Sequence, residues 1–170
     1  MSESVTVEPG QPVVETRTPP GWLKPLFKVI NPVMKALLRS PLHGVVSGSL
    51  LLVTFTGRKS GREYTTPVGY EAVDGRLYVT SQTDRVWWKN LRGGAEVSVR
   101  LRGEVREGHA EVVEDNGEVA DYVLGFIDRN GLDSVGRLAL SFPEGEVPDR
   151  EAMATGLDEV AVIEIELADG

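Results

Sequence analysis

From Gly57 to Arg62 the chain reads GRKSGR, which places Arg58, Lys59 and Arg62 around a turn bracketed by Gly57 and Gly61, with Glu63 alone to offset them. Glycines let a backbone turn sharply and bring its N–H groups close to a ligand. The cations supply charge-assisted contacts and Ser60 a hydroxyl donor, so the stretch is chemically suited to holding an anion. A solvated hairpin tip has the same composition, and the residues by themselves leave both readings open. A Walker loop is excluded, because the Gly-x-x-x-x-Gly-Lys spacing is missing and no helix follows.

A second constellation runs from Ser81 to Leu91, SQTDRVWWKNL. A strand ends there in hydroxyl and amide side chains, and a helix opens on Trp87 and Trp88. Adjacent side chains on a helix point about 100° apart. One ring can therefore face the core while the other covers a planar ligand; the competing reading buries both. Thr83 or Asp84 is suited to cap that helix. Other reactive groups are sparse. Cysteine is absent, which removes disulfides, thiolate ligands and thiol nucleophiles together. His43 and His109 are far apart in sequence, so no metal centre is expected. Tyr122 is the one C-terminal tyrosine available as a proton donor, though its helical spacing points equally to the core.

The formal charge is −8 and the pI about 4.8. Nucleic-acid binding needs a broad basic surface to displace counterions, so that class is excluded. At 170 residues, the chain suits a single domain with appendages. Residues 1–20 read as a flexible leader with no apolar stretch of signal-peptide length. Residues 21–43 form an amphipathic helical segment, and residues 44–170 form the main domain. No segment reaches the roughly 20 apolar residues of a membrane span, which with the lack of cysteine fits a cytoplasmic protein.

In the helical segment, Trp22, Leu23, Leu26, Phe27, Ile30, Val33, Met34, Leu37 and Leu38 recur at steps of three and four. Pro32 is expected to kink or divide it. Lys24, Lys28, Lys35 and Arg39 occupy the other face, and no acid lies between Pro20 and Leu52. The stripe is expected to pack on the domain. A basic amphipathic helix also suits an anionic membrane surface, so peripheral attachment through residues 22–39 at the inner face of the membrane is a second option.

Strands are predicted over Leu50–Thr56, Tyr64–Val73, Arg76–Ser81, Glu96–Arg102, Glu104–Val113 and Val160–Leu167. Asp74-Gly75 is a hairpin signal and Gly103 a bend. Helices are predicted over Val86–Arg92 and Asn116–Asp128. Residues 129–156 carry no clear period beyond one short helix near Gly136–Ser141. Short hairpin connections disfavour βαβ crossovers. About six antiparallel strands with covering helices are best accommodated by a partly open β-barrel, whose open edge is also suited to a homodimer.

The ordered set TFTGRKSGREYTTPVGY, DG, YVTSQ and WWKNLRGG resembles the deazaflavin-dependent nitroreductase family, also described as the F420-dependent quinone reductase group. The resemblance covers residues 40 to 115 or so, with a matching amphipathic helix before it. It implies a split β-barrel similar to the FMN-binding barrels of pyridoxamine-phosphate oxidases. It also implies coenzyme F420, a deazaflavin with a phosphate and an acidic oligoglutamate tail. By this match Gly57, Arg58, Lys59, Ser60 and Gly61 would meet the phosphate and tail. Thr65, Thr66, Pro67 and Val68 would run alongside the ring system. Thr80, Ser81, Gln82 and Thr83 would end the third strand beside it, and Val86, Trp87, Trp88, Lys89 and Asn90 would form the aromatic helix start. Two departures stand out. Many members carry an arginine three residues before the proline, where this chain has Tyr64, with Arg62 as the candidate substitute. A longer glycine-rich loop before the aromatic pair is reduced here to Thr83-Asp84-Arg85.

The resemblance implies hydride transfer from reduced F420 to a small-molecule acceptor: a quinone, a nitroaromatic or an activated alkene. In such chemistry the cofactor carries the reactivity and the protein binds, orients and excludes water. Ser81 or a nearby backbone N–H would hydrogen-bond the ring system, and Tyr122 is the candidate proton donor. Alternatives are the same barrel with FMN, a non-catalytic cofactor- or lipid-binding module, and a membrane-docked interaction protein.

Overall fold

A computed structural model of the chain describes residues 14–16, 32–37, 39–40, 48–142 and 146–169. Residues 32–37 are helical. The rest of the expected basic helix before Leu37, and most of the leader, lie outside the described residues.

The strands in chain order are β1 (Glu15–Thr16), β2 (Leu50–Thr56), β3 (Glu63–Gly69), β4 (Glu71–Val73), β5 (Arg76–Gln82), β6 (Ala95–Leu101), β7 (Glu104–Val113), β8 (Leu140–Ser141) and β9 (Val160–Leu167). Seven of them form one antiparallel sheet in the order β3-β2-β6-β7-β9-β5-β4, while β1 pairs with β8. The sheet ends on β3 and β4, yet Tyr70 alone separates those two strands in the chain. The two edges must therefore curl round until they meet at this corner. The result is the split half-barrel expected from the sequence. The strand expected over Tyr64–Val73 becomes two strands because it changes partner at Tyr70, from β2 to β5.

Turn chemistry fixes two of the hairpins. Asp74 and Gly75 take φ of 50° and 82°, and Arg102 and Gly103 take 50° and 85°. Successive positive φ values give the turn whose twist matches the flanking strands, which is why a glycine closes each pair. The helices lie where expected or nearby: Asn116–Asn130, capped by the Asp115 carboxylate accepting the Glu118 N–H, and a 3-10 helix over Trp87–Leu91. Residues 129–156 contain more structure than their pattern shows. A 3-10 helix spans Leu132–Leu138, β8 follows it, and a short helix Arg150–Gly156 is capped by Asp149.

The last strand explains the two cores. Ala161, Ile163 and Ile165 point into the barrel with Leu51, Val53, Phe55, Val79, Val97 and Val99. Val160 and Val162, on the opposite face, pack under Val119, Val123, Phe126 and Met153 of the helical layer. Past Val162 that outer face carries Glu164 and Glu166, which pair with Arg76. Strand alternation thus places helices over one end of the sheet and leaves the other end to solvent. No helix among the described residues is long and apolar enough to cross a membrane.

Candidate functional site

The basic loop is the tip of the β2–β3 hairpin. The ladder runs to Thr56 opposite Glu63, and the Gly57 N–H then donates to the Arg62 carbonyl at 2.8 Å and the Gly61 N–H to the Gly57 carbonyl at 2.9 Å. Both bonds close the loop into one shape. Gly57 is buried because Tyr64 folds across it; a Cβ there would stand 2.6 Å from Tyr64 Cε2 and 2.7 Å from Ser60 Oγ. The Tyr64 ring stacks on Phe55 with centroids 5.9 Å apart, and its hydroxyl lies 3.0 Å from Ser60 Oγ. The position where an arginine was expected therefore carries an aromatic wall instead of a cation.

The 3-10 helix separates the two tryptophans as their angular spacing requires. Trp88 is 3 % exposed, donates its indole N–H to the Gln82 carbonyl at 3.2 Å and has the Arg92 guanidinium 5.0 Å from its ring. Trp87 is half-buried, its ring 6.1 Å from Phe55 and its N–H donating to Ser81 Oγ at 3.1 Å. Trp88 belongs to the core and Trp87 to the surface cleft. The expected cap by Thr83 or Asp84 is not made: Val86 occupies the N-cap with no side-chain hydrogen bond, because the helix begins later and as a 3-10 turn. Asn90 joins the helix to the loop. Its Oδ1 accepts the Arg58 N–H at 3.1 Å, while its Nδ2 donates to the Trp87 carbonyl at 3.1 Å.

Between loop and helix lies a cleft of about 730 Å³. Phe55, Tyr64, Val86 and Trp87 give it apolar walls; Arg58, Lys59 and Lys89 supply positive charge, and Gly57, Ser60, Thr65, Thr66 and Asn90 complete the lining. Trp87 is shared with a smaller groove of about 210 Å³ lined by Pro67, Val68, Gly69, Thr80, Ser81, Gln82, Arg85, Arg137, Leu138 and Ala139. A third hollow of about 260 Å³ shares Gly69, Thr80, Arg137 and Leu138 with it and reaches Glu71, Tyr78 and Tyr122. The three follow the seam where β3 and β5 approach without pairing. Gly61, Arg62, Thr83 and Trp88 line none of these spaces. Sequence reasoning missed Phe55, Arg85, Arg137, Leu138 and Ala139. The last three sit in the stretch without a period and reach the seam only through tertiary packing.

Charge is distributed unevenly along the seam. Among the described residues, Arg58, Lys59, Arg62, Arg85, Lys89 and Arg137 enter no ion pair. Glu71, by contrast, is fully engaged: it accepts from Tyr122 Oη at 3.2 Å, from Arg129 at 3.0 and 3.2 Å and from Asn130 at 2.7 Å. Burial, followed by the neighbouring Glu71 charge, pushes the Tyr122 phenol well above its ordinary value. Its ring also stacks on Tyr78 at 5.0 Å. The Tyr122 hydroxyl is already committed to Glu71. Ser81 Oγ is committed too, accepting from Trp87 and donating to the Gln82 carbonyl at 3.3 Å. Among the described residues no group of three His, Cys, Asp or Glu side chains is placed to hold a metal.

Solved structures similar to the chain include an F420 reductase, 14 % identical, covering 79 % of this chain and 93 % of its own with a TM-score of 0.39. An FAD and haem binding protein from Mycobacterium smegmatis is 20 % identical, covers 82 % and 71 %, and has a TM-score of 0.41. The haem storage protein HutZ from Vibrio cholerae is 12 % identical, covers 82 % and 90 %, and has a TM-score of 0.46. No curated protein matches the sequence significantly. The family model for F420H(2)-dependent quinone reductases matches residues 38–124, which is just over half of the chain and includes the basic loop, the seam strands and the aromatic 3-10 helix. By that match the chain belongs to the F420H(2)-dependent quinone reductase family, a family of oxidoreductases.

Proposed function

We propose that the chain binds reduced coenzyme F420 in the cleft between the basic loop and the aromatic 3-10 helix and passes its hydride to a quinone, with nitroaromatics and activated alkenes as related acceptors. One observation carries this reading: Arg58 and Lys59, free of carboxylate partners among the described residues, stand at the rim of an aromatic-walled cleft on a protein of charge −8. An acidic cofactor tail is the ligand whose charge such a rim complements. The donor set fits the rest of the cofactor as well. Tyr64 and Trp87, backed by the buried Phe55, offer flat surfaces for a ring system, and the Thr66 hydroxyl has no protein partner among the described residues.

When bound, the reduced cofactor supplies the hydride. The chain's own residues then bind, orient and keep water away. Arg58 and Lys59 would hold the anionic tail, Asn90 holds the loop that carries them, and Trp87 and Tyr64, backed by Phe55, would flank the ring system. Ser81 acts indirectly by fixing the Trp87 indole. Among the described residues no carboxylate or histidine lines that cleft, which suits a reaction whose reactivity resides in the cofactor.

The test is a titration of the purified protein with F420 and with FMN, followed by oxidation assays of reduced F420 using menadione and a nitroaromatic. Tighter binding of F420 and turnover with menadione are expected. Binding of FMN with none of F420 would overturn the cofactor assignment, and tight F420 binding without turnover would make the chain a carrier.

A further inference from the structure

The small groove beyond Trp87 holds a second cationic pair. Arg85 projects from the bend after β5, where its N–H donates to the Gln82 carbonyl at 3.1 Å. Arg137 lies in the last turn of the 3-10 helix Leu132–Leu138. These elements are more than 40 residues apart in sequence, yet both arginines line one groove together with Thr80 and Trp87. Both are exposed and neither forms an ion pair among the described residues.

A cation–π contact holds Arg137 in place without a carboxylate partner among the described residues. Its guanidinium carbon lies 5.6 Å from the Phe126 ring centroid, and a contact with a ring face takes up none of the N–H donors in a hydrogen bond. The next-but-one residue, Ala139, adopts a left-handed φ of 59° with its N–H donating to the Gly136 carbonyl at 3.1 Å. A Cβ-bearing residue keeps that conformation where its surroundings over-determine it. The Thr80 hydroxyl has no protein partner among the described residues and adds a neutral donor. Glu71, the one carboxylate lining the adjoining hollow among the described residues, is held by Arg129 at 3.0 Å and does not neutralise the pair.

The groove therefore joins the Trp87 indole to two guanidinium groups without carboxylate partners, and no acidic side chain lines it among the described residues. A neutral ring would use the stacking surface and leave both charges idle. An aromatic anion uses both. We propose that this groove is the acceptor subsite and that it selects aromatic acceptors bearing an anionic group, such as a sulfonated or carboxylated naphthoquinone. The inference rests on the proposed function, which fills the adjoining cleft with the cofactor and leaves this groove to the second reactant. Arg58 and Lys59 would then serve the cofactor, and Arg85 and Arg137 the acceptor.

Calorimetric titration with two non-reacting probes, naphthalenesulfonate and its neutral sulfonamide counterpart, tests the assignment. The wild-type protein at low salt should bind the sulfonate at least about tenfold more tightly than the sulfonamide. The variant Arg85→Gln with Arg137→Gln should lose that preference while keeping wild-type affinity for F420, which also shows that it is folded. The variant Arg58→Gln with Lys59→Gln should do the reverse. Equal affinity for the two probes, or a preference that survives in the first variant, would overturn the inference. So would loss of F420 affinity in the first variant, since the pair would then belong to the cofactor. A wild-type protein that ignores F420 yet discriminates between the probes through Arg85 and Arg137 would sink the cofactor reading and leave the anion selectivity standing.

Discussion

The side-chain carbonyl of Asn90 accepts the backbone N–H of Arg58 at 3.1 Å, tying the basic loop to the aromatic 3-10 helix across 32 positions of sequence. The charge of the loop and the ring of the helix are thereby set relative to each other by one amide. Asn90→Ala removes that bond and the two donated to Val86 and Trp87. A hydrogen bond of this kind contributes about 1 kcal/mol. F420 affinity measured by fluorescence should fall about fivefold, while the melting temperature drops only about 2–4 °C.

Arg58→Ala with Lys59→Ala removes the rim charge and leaves the aromatic walls intact. At low salt the variant should bind F420 more weakly than the wild type. Exposed charges are screened over about 10 Å at 0.1 M salt, so the difference should shrink as salt rises. Unchanged affinity at low salt would count against the tail site.

Gly57 is small because Tyr64 crosses it. Gly57→Ala forces a Cβ into contact at 2.6 Å with a ring that must leave Phe55 to make room. Overpacking of this kind costs about 1–3 kcal/mol. In urea unfolding, Gly57→Ala should be clearly destabilised, whereas in the Tyr64→Ala background the same change should be much milder. Additive effects would show that the two residues do not clash.

Glu71 gives a pH signature. Burial would raise its carboxyl, but hydrogen bonds from Arg129 and Asn130, the Arg129 charge and the Tyr122 hydroxyl outweigh burial and hold it below the ordinary value of 4.5. A depressed carboxylate contributes stability that is fully present above its unfolded value and lost as pH falls through its folded value. Glu71→Gln should therefore destabilise the protein at pH 7 by roughly 1.5 kcal/mol, near the lower end for a hydrogen-bonded charge because Arg129 faces solvent. Thermal melts should show the gap between the two proteins narrowing as pH is lowered from 5 towards 3. A gap that stays constant over that range would mean that the Glu71 charge contributes nothing.

Much of the barrel was legible because its signals are local. Leu50–Thr56 and Val160–Leu167 appear as expected, since runs of β-branched and aliphatic residues between glycines and turns leave little alternative. Asp74-Gly75 and Arg102-Gly103 place their hairpins for the same local reason. Tyr64–Val73 reads as one strand in the sequence because nothing local marks the change of partner at Tyr70. The stretch from Gly131 to Phe142 resisted prediction because its 3-10 helix and two-residue strand are stabilised by burial of Val135, Leu138 and Leu140 against the long helix, not by any period of their own.

The residues of the basic loop, the hydroxyl-rich end of β5 and the tryptophan pair determined by themselves the chemical kinds available: cations, donors and flat rings, without a thiol. Which tryptophan faces the cleft, where Tyr64 lies and which distant arginines join the seam were decided only by the curled sheet. Composition fixes what side chains can do, but a cleft exists only where strands from different parts of the chain approach without pairing. Here that place is the β3–β5 seam, created by a strand that changes edges at Tyr70.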